Sequence, residues 1–336
     1  MGGRITAIAV NPNDSSMWWA ASASGGLLKT VNNGADFTHQ FDREATVSIG
    51  DVQVSASNPD IVWVAATGNL WGASPDRGVY KTTDGGATWK EQFRNKVEKA
   101  FYDAIACWDR NNCIAMSDPV DGKFLLINTK DGGTNWRSMD NDKMPSAKEG
   151  EAAFAASGTC LITQGKNNVF LVTGGSAARV FRSNNRGLSW LVADTPIVKG
   201  TAGSGIFSIA MFDEKNGVIV GGNYEKPDEV MHNLAVTSDG GRTWKLGTGL
   251  TGYRSAVGQV TRSIIVVAGT NGSNISYSGG NKWAPIEKSL GSAYKTTLGF
   301  NAVASFPKAK PRIKRPIWAV GPNGLVVRSH TTFFGE

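Results

Sequence analysis

Cysteine and histidine are both scarce in this chain of 336 residues, with three of each. Three cysteines make no disulfide framework. Cys107 and Cys113 flank "WDRNN" and could face each other across a hairpin, which would permit a disulfide; the apolar run "AIAC" around Cys107 favours buried free thiols instead. Cys160 has no evident partner. His39, His232 and His330 are far apart and no Cys or His stands at metal-ligand spacing, so no metal site is expected.

Charge is thin as well, at 19% of residues. The balance is a mild excess of cations, 35 − 28 = +7, and part of it sits in "KAKPRIKRP", which includes Arg312, Lys314 and Arg315. Nucleic-acid binding would need basic residues interleaved with stacking aromatics over a broad face, so this stretch reads as a solvated loop and no nucleic-acid partner is expected. No apolar run approaches the roughly 20 residues that cross a bilayer, and membrane insertion is not expected. The segment "MGGRITAIAVNPNDSS" has no basic region followed by a long apolar core, so no signal peptide is visible and the compartment stays open. Dinucleotide fingerprint, P-loop, nucleophile elbow and His-Glu-x-x-His are all missing, so no cofactor is expected.

What is abundant is glycine, 41 residues, and tryptophan, 11. They fall into a repeat. The pattern Ser/Thr-x-Asp-x-Gly-x-x-Trp is complete at Thr82-Asp84-Gly86-Trp89, Thr129-Asp131-Gly133-Trp136 and Thr237-Asp239-Gly241-Trp244. Ser183-Asn185-Gly187-Trp190 replaces Asp by Asn, and Thr30-Asn32-Gly34-Phe37 and Ser276-Ser278-Gly280-Trp283 are weaker copies. The closing aromatics are separated by 52, 47, 54, 54 and 39 residues. A seventh unit with no finished copy follows, giving 336/7 = 48 residues per unit, the length of a four-stranded blade.

Each unit also reads as four strands. In the second these are "IGDVQVS", "IVWVAAT", "GVYKTT" and "TWKEQF"; in the fifth, "GIFSIAMF", "NGVIVGG", "NLAVTS" and "TWKLG". The expectation is an all-β, seven-bladed β-propeller of four-stranded antiparallel blades. It forms one domain over 1–336, with blades at about 3–44, 45–95, 99–140, 149–195, 203–248, 252–288 and 297–336. The repeated box forms the hairpin between the third and fourth strands. A short acceptor side chain there bonds backbone N–H groups two residues on, and glycine accepts positive φ. Asn32, Asp84, Asp131, Asn185, Asp239 and Ser278 are therefore builders of turns, since an acid catalyst or a metal carboxylate would not tolerate exchange for Asn or Ser. "RITAIAV" reads as the first strand of blade one and "TTFFGE" as the fourth strand of blade seven, so the ring closes by side-chain packing without strand exchange.

The boxes resemble the Asp-box, or BNR, repeats of sialidases, xyloglucanase-type glycosidases, sortilin-type receptors and photosystem II stability/assembly-factor-like propellers. From about residue 78 onward, "KAFYDAIACWD", "SDPVDGKF", "EGEAAFAASGTC", "ARVFRSNNRGLSW", "VGGNYEKPDE" and "GYRSAV" resemble bacterial members of the assembly-factor-like group. The first 78 or so residues, with "GGRITAIAVNPNDSSMWWAASASGGLLKT", resemble the opening blades of glycosidase-like and sortilin-like propellers. The two resemblances meet near the second box, which implies a chimera of two propeller lineages, natural or engineered. No enzymatic activity is expected. The Arg-Ile-Pro signature of sialidases is missing, and Ala23 in "ASASGG" stands where xyloglucanase-type enzymes carry an Asp. Inverting hydrolysis needs two carboxyls flanking the bond.

Propellers bind ligands mostly on the face of loops entering the innermost strands and in the central channel. The polar residues bracketing first and second strands are the candidates there: Asp118, Asp121, Glu151, Arg179, Ser204, Asn223, Tyr224, Lys226, Asn233, Tyr253 and Arg254. Acids, guanidinium groups and tyrosines together suit a peptide terminus or carboxylate. The same groups could instead tie blades together, with Asp118 capping a turn and Glu151 pairing with Arg179 or Arg254. The sequence thus supports three readings: a monomeric, non-catalytic scaffold for a protein or peptide, assembly-factor-like by resemblance; a glycan-binding or hydrolase-like propeller lacking its catalytic Asp; and a chimera with no selected ligand.

Overall fold

In the second strands of the first two blades, "WWAAS" and "VWVAA", every residue is buried, whereas the outermost strands "TH" and "KL" are wholly exposed. That gradient follows from blades stacking face to face around an axis, so that a blade's middle strands are covered on both sides. The computed structural model describes residues 3–68, 74, 76–286, 299–305, 316–322 and 325–329. It is an all-β propeller of seven blades with antiparallel neighbours throughout.

Blade one holds Ile5–Val10, Trp18–Ser22, Gly26–Thr30 and Thr38–His39; blade two, Ile49–Val54, Val62–Ala66, Gly78–Thr82 and Lys90–Arg94. Blade three holds Tyr102–Cys107, Cys113–Val120, Lys123–Thr129 and Arg137–Ser138; blade four, Leu161–Gln164, Asn168–Val172, Arg179–Ser183 and Leu191–Asp194. Blade five holds Ser204–Met211, Gly217–Asn223, Leu234–Thr237 and Lys245–Leu246; blade six, Ala256–Gln259, Ile265–Gly269, Gly272–Ser276 and Ala284–Pro285. Blade seven shows Ala302–Ser305, Ile317–Val320 and Val326–Arg328 among the described residues. The segment "TTFFGE" and the basic loop with Arg312, Lys314 and Arg315 lie outside them.

Successive blades share apolar clusters, which continue from blade seven back to blade one through Trp318, Ala302, Trp18 and Val10. Arg328 Nη2 also donates to Ser15 Oγ across that junction at 3.3 Å. Inner strands are tied laterally by polar side chains. Thr6 Oγ1 donates to Ile49 O, Asp51 Oδ2 accepts from Ile105 N, and Ser208 Oγ accepts from Val257 N.

All six repeated corners are built alike. In blade two Thr82 Oγ1 donates to Asp84 Oδ1 at 2.6 Å, Gly86 N donates to Thr82 Oγ1 at 2.9 Å, and Thr88 N donates to Asp84 Oδ1 at 2.9 Å. The last of these bonds recurs as Asp36 N to Asn32, Asn135 N to Asp131, Ser189 N to Asn185, Thr243 N to Asp239 and Lys282 N to Ser278, at 2.8 to 3.0 Å. Asp, Asn and Ser therefore do the same job.

The thiol expectation is corrected. The hairpin register sets Cys113 directly opposite Cys107, and the two are joined in a disulfide with Cα atoms 3.9 Å apart. The reason is the connecting turn, in which Asp109 Oδ1 accepts the N–H groups of Asn111 and Asn112 and closes the hairpin in that register. Cys160 is free and buried.

Candidate functional site

Of the eleven candidate residues, Ser204 among them, eight turn inward and three face solvent. Glu151 lies in a two-residue strand, Glu151–Ala152, that pairs with Gly174–Gly175, and Gly174 in turn pairs with Gly205 of blade five. Arg179 begins the third strand of blade four. Its Nε donates to Glu151 Oε1 at 2.9 Å, its Nη2 bonds Glu151 Oε2, and Nη2 also donates to Ser146 O at 2.8 Å. Thr173 Oγ1 and Lys148 N complete the carboxylate's partners. With side chains 7% and 0% exposed, this is a closed ion pair. Arg254 is wholly buried and pairs not with Glu151 but with the side chains of Asn274, Asn271 and Thr251 and with Tyr253 O. Asn233 Nδ2 donates to Gly252 O, and Asn223 Oδ1 accepts from Glu225 N. Asp118 Oδ1 accepts from Ala153 N at 2.8 Å. These groups hold loops in place.

They hold one loop in particular. Residues 153–160 lead into the inner strand of blade four by crossing the axis of the ring. Arg4 of blade one donates to Ala156 O at 3.3 Å. A side chain at Gly158 would run into Asp51 of blade two and Ala7 of blade one. Thr159 Oγ1 shares hydrogen bonds with Ser157 and with Ser208 of blade five, and Ala156 packs with Phe207 and Tyr253. Asp103 of blade three lies beneath, with the Ala155 N–H directed to it and its Oδ2 buried and unpartnered among the described residues.

Three carboxyl groups therefore surround the segment. Burial pushes Asp51 and Asp103 well above the usual carboxylate range, and burial lifts Asp118 to about 6. Burial also raises the Cys160 thiol, and the three carboxylates raise it further. No group of three or more metal-ligating side chains is arranged to hold an ion among the described residues. Asp51 and Asp103 are not among the sequence candidates, although "SIGDVQV" and "AFYDAIAC" each carry an Asp near the start of an inner strand.

Asp121, Tyr224 and Lys226 remain on the surface. Asp121 sits at φ 52° in the tight Val120–Lys123 hairpin, and Lys226 pairs with Glu229 at 3.3 Å. Tyr224 is different. It is 46% exposed, yet its ring lies edge-on to buried Phe207, which stacks on Phe154 at 3.9 Å and meets Tyr253 at 4.8 Å. The loop it begins carries two further exposed apolar residues, Val230 and Met231. That loop is fastened on both sides: His232 O accepts from Val198 N, while Pro227 O accepts from Tyr253 N at 2.8 Å and Asn271 Nδ2 at 2.5 Å. Three exposed apolar side chains thus share one loop with a fixed backbone, close to the crossing segment through Phe207 and Phe154.

No family model matches the chain, and no curated protein matches it. Solved structures do. YCF48 bound to D1 peptide superposes with a TM-score of 0.65 at 14% identity, over 98% of this chain and 94% of that one. YCF48 from Cyanidioschyzon merolae gives 0.61 at 15% identity, over 97% and 95%. An ancestral GH74 enzyme gives 0.65 at 16% identity, over 95% of this chain but 43% of its own. At these identities the shared property is the fold: a seven-bladed propeller with peptide-bound and glycosidase propellers among its structural neighbours.

Proposed function

We propose that this chain is a non-catalytic scaffold that binds a protein or peptide at the platform formed by Tyr224, Val230 and Met231. One observation carries the reading. An exposed tyrosine is backed by a buried aromatic stack and flanked by exposed apolar side chains on a loop with fixed ends. Such an anchor loses little conformational freedom on binding, and aromatic side chains in rigid surroundings dominate interface energetics. The YCF48 neighbour with a bound D1 peptide supports the class of partner at the level of the fold.

The sequence resemblance to assembly-factor-like propellers and the resemblance of the corners to Asp-box repeats point the same way. The junction of two resemblances at the second box supports a chimeric origin. Ala23, at the place where xyloglucanase-type enzymes carry an Asp, supports a non-catalytic reading. The test is binding of a fluorescent peptide library to the intact chain and to Tyr224→Ala and Met231→Asp. The expected outcome is at least tenfold weaker capture by both variants with unchanged melting temperatures. Equal capture by wild type and both variants would place any peptide site elsewhere.

A further inference from the structure

On the opposite face, where the repeated corners lie, a second site is left open between blades five and six. Its origin is visible by comparing blade junctions. In blades one, two and four the last residue but one of the third strand, opposite the start of the fourth, reaches toward the corner of the next blade. At the first junction this residue is Lys29: its Nζ donates to Gly85 O at 2.7 Å, lies 5.4 Å from the Trp19 ring, and faces Asp84 and Asp60. At the second it is Lys81, donating to Gly132 O at 2.5 Å and facing Asp131. Between blades four and five it is Arg182, facing Asp239. Each complete Asp corner is met by a cation from the blade before it. Where the corner has Asn185, the preceding residue is Asn128; where it has Ser278, the preceding residue is Val236. Cation and acid are lost together, and at these two junctions cavities of about 590 and 860 Å³ are found.

The larger one is lined for polar recognition. Tyr277, 56% exposed, forms part of its wall, together with Thr243, Lys245, Ser278 and Asn281. Arg262 reaches across from blade six to Asp213 of blade five at 2.9 Å. The Asp213 carboxylate also accepts from Asn216 and Lys215, and these bonds, those from the Asn216 side chain foremost, hold it down at about 2. Asp213 therefore aims the Arg262 guanidinium, which has five donors, and Lys245 adds a second cation. The 590 Å³ cavity also has cations, Lys130, Arg137 and Lys143, but no aromatic ring.

We propose that the groove between blades five and six binds an acidic sugar: a pyranose ring on Tyr277, its carboxylate on Arg262 and Lys245, its hydroxyl groups on Thr243, Ser278 and Asn281. The volume falls in the range of small-ligand sites, roughly 300–1,000 Å³. A ring with one apolar face and a polar edge matches a tyrosine set among charged and hydroxyl side chains. The site is independent of the peptide platform, which lies on the other face.

Calorimetric titration of the intact chain with a galacturonic acid tetrasaccharide, cellotetraose and sodium acetate tests it. Saturable binding of the acidic tetrasaccharide, at least tenfold weaker binding of the neutral one and none of acetate are expected. Tyr277→Ala and Lys245→Ala should each weaken binding at least tenfold. Val236→Lys combined with Ser278→Asp installs the cation and the acid found at the other junctions and should abolish binding while leaving the melting temperature equal or higher. No binding of the acidic tetrasaccharide, equal binding of the neutral one, or undiminished binding by the refilled variant would each overturn the proposal.

Discussion

Arg179 and Asp118 illustrate how the same residue types serve binding or construction according to where their atoms end up. Truncating Arg179 leaves the Glu151 carboxylate buried without its cation, and breaking a buried pair in this way costs about 3–5 kcal/mol. Chemical denaturation of Arg179→Ala should therefore show a loss of that order; a loss below about 1 kcal/mol would mean that Glu151 is solvated in solution. Asp118 responds to pH with a defined sign. Its carboxyl is raised to about 6 in the fold, above its ordinary range near 4, so the folded state holds the proton more tightly. Its contribution is present below about pH 4 and is lost as pH rises to about 6. Asp131, held down to about 2 by bonds from the backbone and side chain of Asn135, acts oppositely, and its contribution is lost as pH falls below about 4. Stability measured from pH 4 to 7 should fall less steeply in Asp118→Asn than in the wild type. An unchanged slope would remove Asp118 from the account.

Corners and blades were the most legible elements, because their chemistry is local: Thr, Asp and Gly in one box bond one another within four residues of sequence. What each corner meets was not legible, since Lys81 and Gly132 are 51 residues apart. The alternation of Asp with Asn and Ser looked like tolerance within a turn. It also follows the residue supplied by the preceding blade. Lys81→Met should cost about 1 kcal/mol, a modest figure because the cation is half-exposed and screened, and the loss should shrink in an Asp131→Asn background. Additive losses in a double-mutant cycle would show the two to be uncoupled. The candidate binding residues were legible as a set on one face. Their roles were not, because Glu151, Arg179 and Arg254 differ from Tyr224 only in burial, which a sequence without contacts does not reveal.

At the scale of the molecule, repeat proteins ordinarily unfold as chains of nearest-neighbour contacts. Residues 153–160 break that rule, since they join blade four to blades one, two, three, five and six. Gly158, at φ 69°, permits the crossing. Gly158→Val should dislodge it, and tryptophan fluorescence and far-ultraviolet circular dichroism should then report separate transitions where the wild type gives one. Coincident transitions in the variant would show that the blades cooperate without the crossing. The same segment has a consequence for traffic through the molecule. A segment that crosses the hub stands in the way of water, ions or a threaded chain moving along the axis. A visitor on either side would meet the same segment, whose bonds to blades one, two, three, five and six would carry its displacement to all of them.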